Sequence, residues 1–315
     1  MSRILITGGT GFIGSNLAKR LVEDGHEITI IDNLFTSSTT NIQDIVSNVK
    51  YFNIDLSNKH NVDDLDNIFR LGEFDICYHL AASIGVKLIY KDSSSALHNS
   101  FNINMNLFPL FEKYNVKVIY SSTSEVYGES EEGGSKETDI LKIFAPGKPR
   151  GSYACSKLMS EFLLKSYTFP NVIIRFFNVV GKGQVSTYGH VLPMFIEKAR
   201  AGESLPVFGD GEQIRSYCHI LDAVEMLVLL MDSKHDGEIY NIGNDKNICT
   251  VKQLASGVIR LMNSTSEIEY IPFEDALGSN FEEIFVRFPC TDKIKEHYTC
   301  KYNLETIIRG LRDVK

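Results

Sequence analysis

Short apolar runs alternate with stretches of helical periodicity through the first 180 residues. The apolar runs are RILITG, HEITIID, VKYFNIDL, FDICYHLAA, VKVIYSS and NVIIRFFNVV, and the first helical stretch covers residues 15–24. Strands that alternate with helices predict crossover units, and so a parallel sheet with helices on both faces. Near-continuous apolar strands agree with this prediction, because each strand of such a sheet is buried on two sides. We therefore predict an α/β fold with a doubly wound parallel sheet.

The pattern changes after Gly181. Helical stretches at residues 192–201 and 221–231 flank the turn VFGDGEQ, and shorter segments follow. This change predicts a Rossmann-type domain at residues 1–180 and a smaller C-terminal α/β substrate domain at residues 181–315. We expect the chain to return partly to the first domain around residues 212–245. The polar stretch GESEEGGSKETD, residues 128–139, is predicted to be a mobile surface loop.

Composition limits the classes of partner. With 43% apolar residues among 315, the chain can bury a sizeable core, and its formal net charge of −8 argues against binding nucleic acid. The six cysteines form no CxxC pair, so we predict reduced thiols, no disulfide framework and no metal site. Residues 1–7 pass directly into a strand-like run, and no apolar stretch is long enough to span a bilayer. We expect a cytoplasmic protein without a membrane partner.

A glycine-rich turn joins the first predicted strand to the first helix. In ILITGGTGFIGSNL, glycines 8, 9, 11 and 14 would allow a tight turn, close approach to a pyrophosphate and close packing of helix on strand. Asp32 ends the second strand, where an acid would bind the ribose hydroxyls of a dinucleotide. Because an acid there would repel a 2'-phosphate, NAD is favoured over NADP. Asp55 could accept a hydrogen bond from the adenine amino group, or it could cap a turn.

A tyrosine and a lysine follow in SYACSK. Tyr153 and Lys157 are four residues apart and share one face of a helix. A nearby ammonium group would lower the pKa of the Tyr153 phenol and make it a useful general base.

The order of motifs resembles that of the extended short-chain dehydrogenase/reductase family, the nucleotide-sugar epimerases, dehydratases and decarboxylases. The resemblance covers nearly the whole chain and rests on TGGTGFIG, Asp32, HLAA, STSEVYG, YACSK, RFFNVVGKGQ, VFGDGEQIRSYCHILDAV, YNIGN and VRFPCTDKI. It implies that bound NAD oxidises the C4 hydroxyl of a nucleoside-diphosphate sugar. Tyr153 would be the base, Lys157 would bind the nicotinamide ribose, and Thr123 would hydrogen-bond the C4 oxygen.

The resemblance also implies contacts with the cofactor, the substrate and a second subunit. The implied cofactor contacts are Gly8, Gly11, Phe12, Ile13, Gly14, Asp32, Asn33, Asp55, Leu56, Leu80, Ala81, Ala82, Tyr153 and Lys157. Asn178, Arg215 and Arg287 would face the diphosphate, and two guanidinium groups suit such a ligand. Helices at residues 95–114 and 153–167 would pair across a two-fold axis in a homodimer.

One segment departs from the resemblance. SIGVKLIYKDSSSAL, residues 83–97, matches neither the dehydratase nor the decarboxylase sequence expected there, and is more similar to a branch labelled epimerase. Since this segment would line the sugar pocket, the identity of the sugar stays open.

Glu125 bears on the chemistry that comes after C4 oxidation. Decarboxylases and dehydratases of the resembled family often carry such an acid after the Ser/Thr pair, so Ser124 and Glu125 join the catalytic candidates. Once C4 is a ketone, Glu125 could remove the C5 proton or position a leaving group; alternatively, the two residues only close the strand with a turn. Epimerisation, dehydration and decarboxylation all stay open, as do a net C4 dehydrogenase and a catalytically silent NAD-sensing regulator.

Overall fold

Seven parallel strands form the central sheet of the protein. The structure is a computed structural model that describes residues 1–82, 92–146, 148–186, 190–278 and 281–313. Its strands are β1 (Arg3–Thr7), β2 (Glu27–Asp32), β3 (Val49–Asn53), β4 (Ile76–His79), β5 (Lys117–Thr123), β6 (Asn171–Phe176), β7 (Asn178–Val180), β8 (Leu205–Phe208), β9 (Ile214–His219), β10 (Ile239–Ile242), β11 (Ile248–Thr250), β12 (Ile268–Ile271) and β13 (Val286–Arg287). The central sheet has the order β10-β6-β5-β4-β1-β2-β3. The predicted doubly wound parallel sheet is confirmed.

The helices cover both faces of this sheet. They are α1 (Phe12–Glu23), α2 (Val62–Gly72), α3 (Ser93–Tyr114), α4 (Pro149–Lys165), α5 (Val191–Ala201), α6 (Ile220–Leu229), α7 (Val251–Met262), α8 (Phe273–Leu277), α9 (Asp292–Lys295) and α10 (Leu304–Arg312). Alternate strand residues face opposite cores: Ile4 and Ile6 pack with α1 and α6, whereas Leu5 packs with α2 and α3. None of the described helices is long and apolar enough to cross a membrane.

Smaller sheets and a third core lie in the C-terminal part. Strand β9 pairs with β7, β11 and β13, while β8 pairs with β12. Helices α5, α7 and α10 pack around a separate apolar cluster that includes Phe195, Leu254 and Ile307. After β9 the chain returns to the central sheet through α6 and β10. The proposed domain limits remain a prediction.

The polar loop at residues 128–139 packs against the segment that leads into and out of β13. The Glu129 carboxylate accepts hydrogen bonds from the amides of Phe285 (2.6 Å) and Val286 (2.7 Å). Ser135 is 1% exposed, and its amide donates to the carbonyl of Phe288 (2.9 Å). The expectation of a surface loop is therefore wrong for Ser135, because backbone pairing with a segment about 150 residues later buries it.

We expect Gly14→Ala to destabilise the protein. A Cβ on Gly14 would overlap the carbonyl oxygen of Gly8, and backbone atoms cannot yield as a flexible side chain can. Overpacking of this kind should lower the free energy of unfolding by about 1–3 kcal/mol, measured by urea denaturation. Gly257→Ala is the control, because a Cβ there meets no atom closer than 4.0 Å within α7. The control should raise the free energy of unfolding by about 0.5–1 kcal/mol, and equal effects of the two changes would contradict the steric argument.

Candidate active site

A cavity of about 910 Å³ opens at the carboxyl ends of the parallel strands. Crevices at this edge are the usual ligand sites of open α/β sheets. Every residue assigned above to cofactor, substrate or catalysis lines this one cavity. The strands thus bring together residues that are up to 279 positions apart in the chain, from Gly8 to Arg287.

At one end of the cavity, the glycine turn allows the backbone at Gly8 to lie close to the backbone at Ala81. Gly8 has a φ of +71°, and a Cβ on it would lie 2.9 Å from the amide nitrogen of Ala81. Gly11 precedes α1 without a side-chain cap, and the first turn of this helix carries no acid. These features fit a dinucleotide pyrophosphate, which would meet free amides at a positive helix end.

Asp32 lies at the end of β2 and is 8% exposed. Its carboxylate accepts from the amides of Thr10 (3.1 Å) and Leu34 (2.9 Å) and from the Ser37 hydroxyl (3.1 Å). This fixes the carboxylate at the cavity wall, where its remaining acceptor capacity suits ribose hydroxyls. Asp55 also lines the cavity, and its Oδ1 accepts from the amide and hydroxyl of Ser57, so Asp55 does cap a turn.

Tyr153 and Lys157 lie on α4 and face the end of β5. The Lys157 ammonium donates to the carbonyl of Ser121 (2.7 Å), and the Tyr153 phenol hydrogen-bonds with the hydroxyl of Thr123. Burial lowers the pKa of Lys157 to about 7, against the opposing charge of Glu161. The lysine is therefore only partly charged at neutral pH.

The pKa of Tyr153 is raised, opposite in direction to the sequence expectation. Burial of the phenol is the largest cause, and the negative charge of Glu125 adds to it, while the Thr123 hydrogen bond opposes both. Lys157 does not offset them, because burial favours its own uncharged form. Tyr153 is thus a neutral phenol in this structure.

Glu125 accepts hydrogen bonds from two arginines. The residue lies in a 3-10 turn, Ser124–Tyr127, which the Thr123 hydroxyl caps by accepting from the Glu125 amide (3.3 Å). Its carboxylate pairs with Arg150 (3.0 Å) and Arg287 (2.6 Å). Burial opposes ionisation, but the two guanidinium charges outweigh it and lower the pKa of Glu125 to about 2. Glu125 does close the strand with a turn, and it is also an ionised member of a buried network.

We call Glu125, Arg150, Arg215, Glu283 and Arg287 the arginine–glutamate cluster. Glu283 joins its two halves, because its carboxylate accepts from Arg150 (2.6 Å) and Arg215 (2.8 Å). Burial and the charge of Arg287 lower the pKa of Arg215 to about 10. The cluster holds three guanidinium groups and two carboxylates, so its net charge is about +1 in total.

Sequence reasoning missed Arg150 and Glu283. Arg150 is three residues before Tyr153, so helical spacing could have placed both on one face of α4. Glu283 and Arg287 occur in the short segment EEIFVR, which offers a weaker signal. Both missed residues line the cavity and are largely buried.

The remaining substrate and catalytic candidates also have defined surroundings. The Asn178 side chain donates to the carbonyl of Ser216 (3.0 Å) and accepts from Arg287 (3.3 Å). Ser124 is buried in the 3-10 turn beside Glu125. The departing segment overlaps residues 83–91, which lie outside the described part of the chain, so its place in the sugar pocket stays a prediction.

Comparison with known proteins relates the whole chain to one group. The family model for the NAD dependent epimerase/dehydratase family matches residues 4–243. A UDP-N-acetyl-alpha-D-glucosaminuronate decarboxylase of Bacillus cytotoxicus is 37% identical over 298 residues, which are 93% of this chain and 91% of that protein.

Solved structures agree with this relationship. The X-ray structure of Pal from Bacillus thuringiensis superposes with a TM-score of 0.88 at 30% identity, covering 98% of this chain and 97% of that one. A UDP-glucuronic acid 4-epimerase from Bacillus cereus, in complex with UDP-glucuronic acid and NAD, gives a TM-score of 0.85 at 26% identity and covers 98% of both chains. The predicted Rossmann-type architecture and the predicted family are confirmed: this chain belongs to the NAD dependent epimerase/dehydratase family.

Proposed function

We propose that this protein decarboxylates a nucleoside-diphosphate-linked uronic acid by way of a 4-keto sugar. The chain is an NAD-dependent enzyme of the nucleotide-sugar-modifying group, and the proposal adds its substrate class and net reaction. The Bacillus cytotoxicus relative, named as a uronate decarboxylase, supports both additions. Within the site, the arginine–glutamate cluster is the observation that supports this substrate class and net reaction.

The number of cations supports a substrate with an extra anionic group. Arg215 and Arg287 would hold a diphosphate, as the resemblance implies. Arg150 is a third guanidinium in the same cluster, 7% exposed and located between Glu125 and Glu283. A C5 carboxylate would give the Arg150 guanidinium a charged acceptor on the substrate besides these two glutamates, whereas a neutral sugar offers none.

The protonation state of Glu125 supports decarboxylation over the other reactions at C5. Dehydration and C5 epimerisation both need a base to remove the C5 proton. With its pKa lowered to about 2 by Arg150 and Arg287 against burial, Glu125 is a weak base for that step. Loss of carbon dioxide needs no base, because the electron pair of the breaking bond enters the adjacent ketone. Glu125 then serves to hold the two guanidinium groups in place.

Tyr153 and Thr123 line the same cavity, where both would act on the sugar C4 hydroxyl. Bound NAD would supply reversible hydride transfer at the sugar C4. Tyr153, as the phenolate formed once its own proton has passed to water, takes the proton of the C4 hydroxyl while Thr123 hydrogen-bonds the oxygen. The C5–carboxylate bond then breaks, carbon dioxide leaves, and its electron pair forms an enolate with the C4 oxygen. A proton from water adds to C5, and Tyr153 returns its proton to the C4 oxygen.

We also propose that the protein is a cytoplasmic homodimer. Helices α3 and α4 pack side by side and expose Phe101 and Met105 on the first, Met159 and Phe162 on the second. Phe162 is 72% exposed, an unfavourable position for a large apolar ring in a monomer. Burial of this face against a second copy would form the four-helix interface that the resemblance implies.

A panel of nucleotide sugars tests the net reaction. We expect purified protein to release carbon dioxide from a UDP-linked hexuronate, seen by mass spectrometry as a product lighter by that molecule. UDP-linked hexoses should be unchanged in mass. Tyr153→Phe should bind NAD but form no product. An isomer of unchanged mass from the uronate would contradict decarboxylation and indicate an epimerase.

Arg150→Met tests the substrate class. We expect the affinity for UDP-glucuronate to fall about tenfold or more, because a charge-assisted pair is lost, while affinity for UDP-glucose changes little. Isothermal titration of NAD-loaded protein measures both. Arg150→Lys is the matched control, which keeps the charge without the forked geometry and should lose less. Equal losses for the two ligands would place Arg150 on a group other than the carboxylate.

Phe162→Glu tests the dimer. A carboxylate at that position would be buried without a partner in the proposed interface, so the variant should be monomeric in light scattering after size exclusion. Leu71→Glu is the control, because Leu71 is 71% exposed but lies on α2, a helix outside the proposed interface. The proposal fails if wild type is monomeric, or if both variants behave alike.

A further inference from the structure

A buried line of hydrogen bonds connects β1, β4, α3 and α4. The Thr7 hydroxyl lies 2.7 Å from Nδ1 of His79, and Nε2 of His79 lies 3.0 Å from Oδ1 of Asn104. The Asn104 amide then donates to the hydroxyl of Ser160 (2.7 Å). All four side chains are at most 3% exposed. The proposed reaction uses none of them.

The two ends of this line set its direction. At one end, the Ser160 hydroxyl lies 2.7 Å from the carbonyl of Ser156, which can only accept. The single proton of Ser160 is therefore committed, and Ser160 must accept from the amide group of Asn104. The carbonyl oxygen of Asn104 then faces His79, so Nε2 of His79 carries a proton.

The other end is compatible with the same direction. The backbone amide of Ala81, which can only donate, lies 3.2 Å from the Thr7 oxygen. Thr7 accepts there, which leaves its own proton free to be donated to Nδ1 of His79. Each member thus donates once along one path, from the amide of Ala81 to the carbonyl of Ser156. The path exists only if His79 is neutral with its proton on Nε2.

The surroundings of His79 favour that state. Its ring packs against Phe108, Phe111 and Tyr120, with ring centroids 5.5–6.2 Å away. Burial lowers the pKa of His79 to about 4, and the charge of Lys157 acts in the same direction against the Asn104 hydrogen bond. A charged ring would have to donate from both nitrogens, which would reverse the bond to Thr7.

One end of the path lies at the candidate active site, and the other is next to a residue of that site. Ala81 lines the cavity, and its amide nitrogen would lie 2.9 Å from a Cβ on Gly8 of the dinucleotide turn. Ser156 is adjacent to Lys157, whose ammonium contacts the end of β5. We propose that His79 is a positioning residue, whose neutral imidazole fixes the turn of α4 that carries Lys157 relative to the backbone wall at Ala81.

This role rests on the proposed function only where it takes Ala81 and Lys157 as cofactor contacts. It explains why two polar side chains, Asn104 and Ser160, occupy a helix contact that apolar residues could fill. The Tyr120 phenol also hydrogen-bonds with Ser160 and Asn104. A break in the middle removes the polarisation that the remaining hydrogen bonds of the path give one another, so the effect of one change should reach the far end.

The tautomer of His79 is the first test. Nitrogen-15 spectra of labelled histidine side chains distinguish the two neutral tautomers, and His79→Gln identifies the signal. We expect protonated Nε2 and unprotonated Nδ1 throughout pH 6–8. A proton on Nδ1, or a charged ring in this range, would overturn the proposal whether or not the protein decarboxylates anything.

Substitution at the far end is the second test. Ser160→Ala should speed hydrogen exchange of the Ala81 amide and raise the NAD dissociation constant about fivefold, as expected from one lost hydrogen bond. Ser160→Thr, which keeps the hydroxyl, should restore both values.

Tyr78→Phe is the matched control for stability. Its hydroxyl donates to the carbonyl of Leu227 (3.0 Å) from the same strand as His79, on the opposite face of the sheet. It should lower the melting temperature about as much as Ser160→Ala, without changing Ala81 exchange or NAD affinity. If Ser160→Ala leaves Ala81 exchange unchanged, the hydrogen bonds are structural only and the positioning role is overturned.

If wild type fails to bind NAD, the proposed function fails, while the exchange result still decides the role of His79.

Discussion

The pairing of three guanidinium groups with two carboxylates is the interaction on which the site depends. Removing one partner from a buried ion pair typically costs about 3–5 kcal/mol, because a charge is left in a poorly solvated place. Arg150 is held to the end of β5 through Glu125, and to the segment before β13 through Glu283. The cluster thus joins α4, the central sheet and the C-terminal part at one point.

Contacts of Glu129 and Asn178 hold Arg287 and the backbone before it in place. Glu129 holds the backbone before Arg287, and Asn178 accepts from the Arg287 side chain. Both are short polar contacts between segments more than 100 residues apart. They restrict the guanidinium geometry before any ligand binds, which is how a site keeps its specificity for forked anionic groups.

Burial in the same low-dielectric surroundings shifts the pKa values of Tyr153 and Lys157 in opposite directions. Burial raises the pKa of Tyr153 and lowers that of Lys157 to about 7, whereas the arginines overcome burial at Glu125 and lower its pKa to about 2. A neutral phenol, a half-charged lysine and a firmly ionised glutamate therefore coexist within one cavity. Separation of pKa values in this way assigns different tasks to neighbouring groups.

Local patterns in the sequence determined the parallel sheet, the glycine turn with Asp32, and the Tyr153–Lys157 spacing, because each depends on residues close together in the chain. Family motifs added the nucleotide-sugar chemistry and the arginines at positions 215 and 287. Tertiary structure alone decided how the side chains of the site are paired, buried and protonated. Arg150 meets Glu283 across 133 residues, and Ser135 is buried by a segment from the other end of the chain. The pKa of Glu125 and the direction of the His79 hydrogen bonds depend likewise on side chains that folding brings together, and no local pattern records such distances.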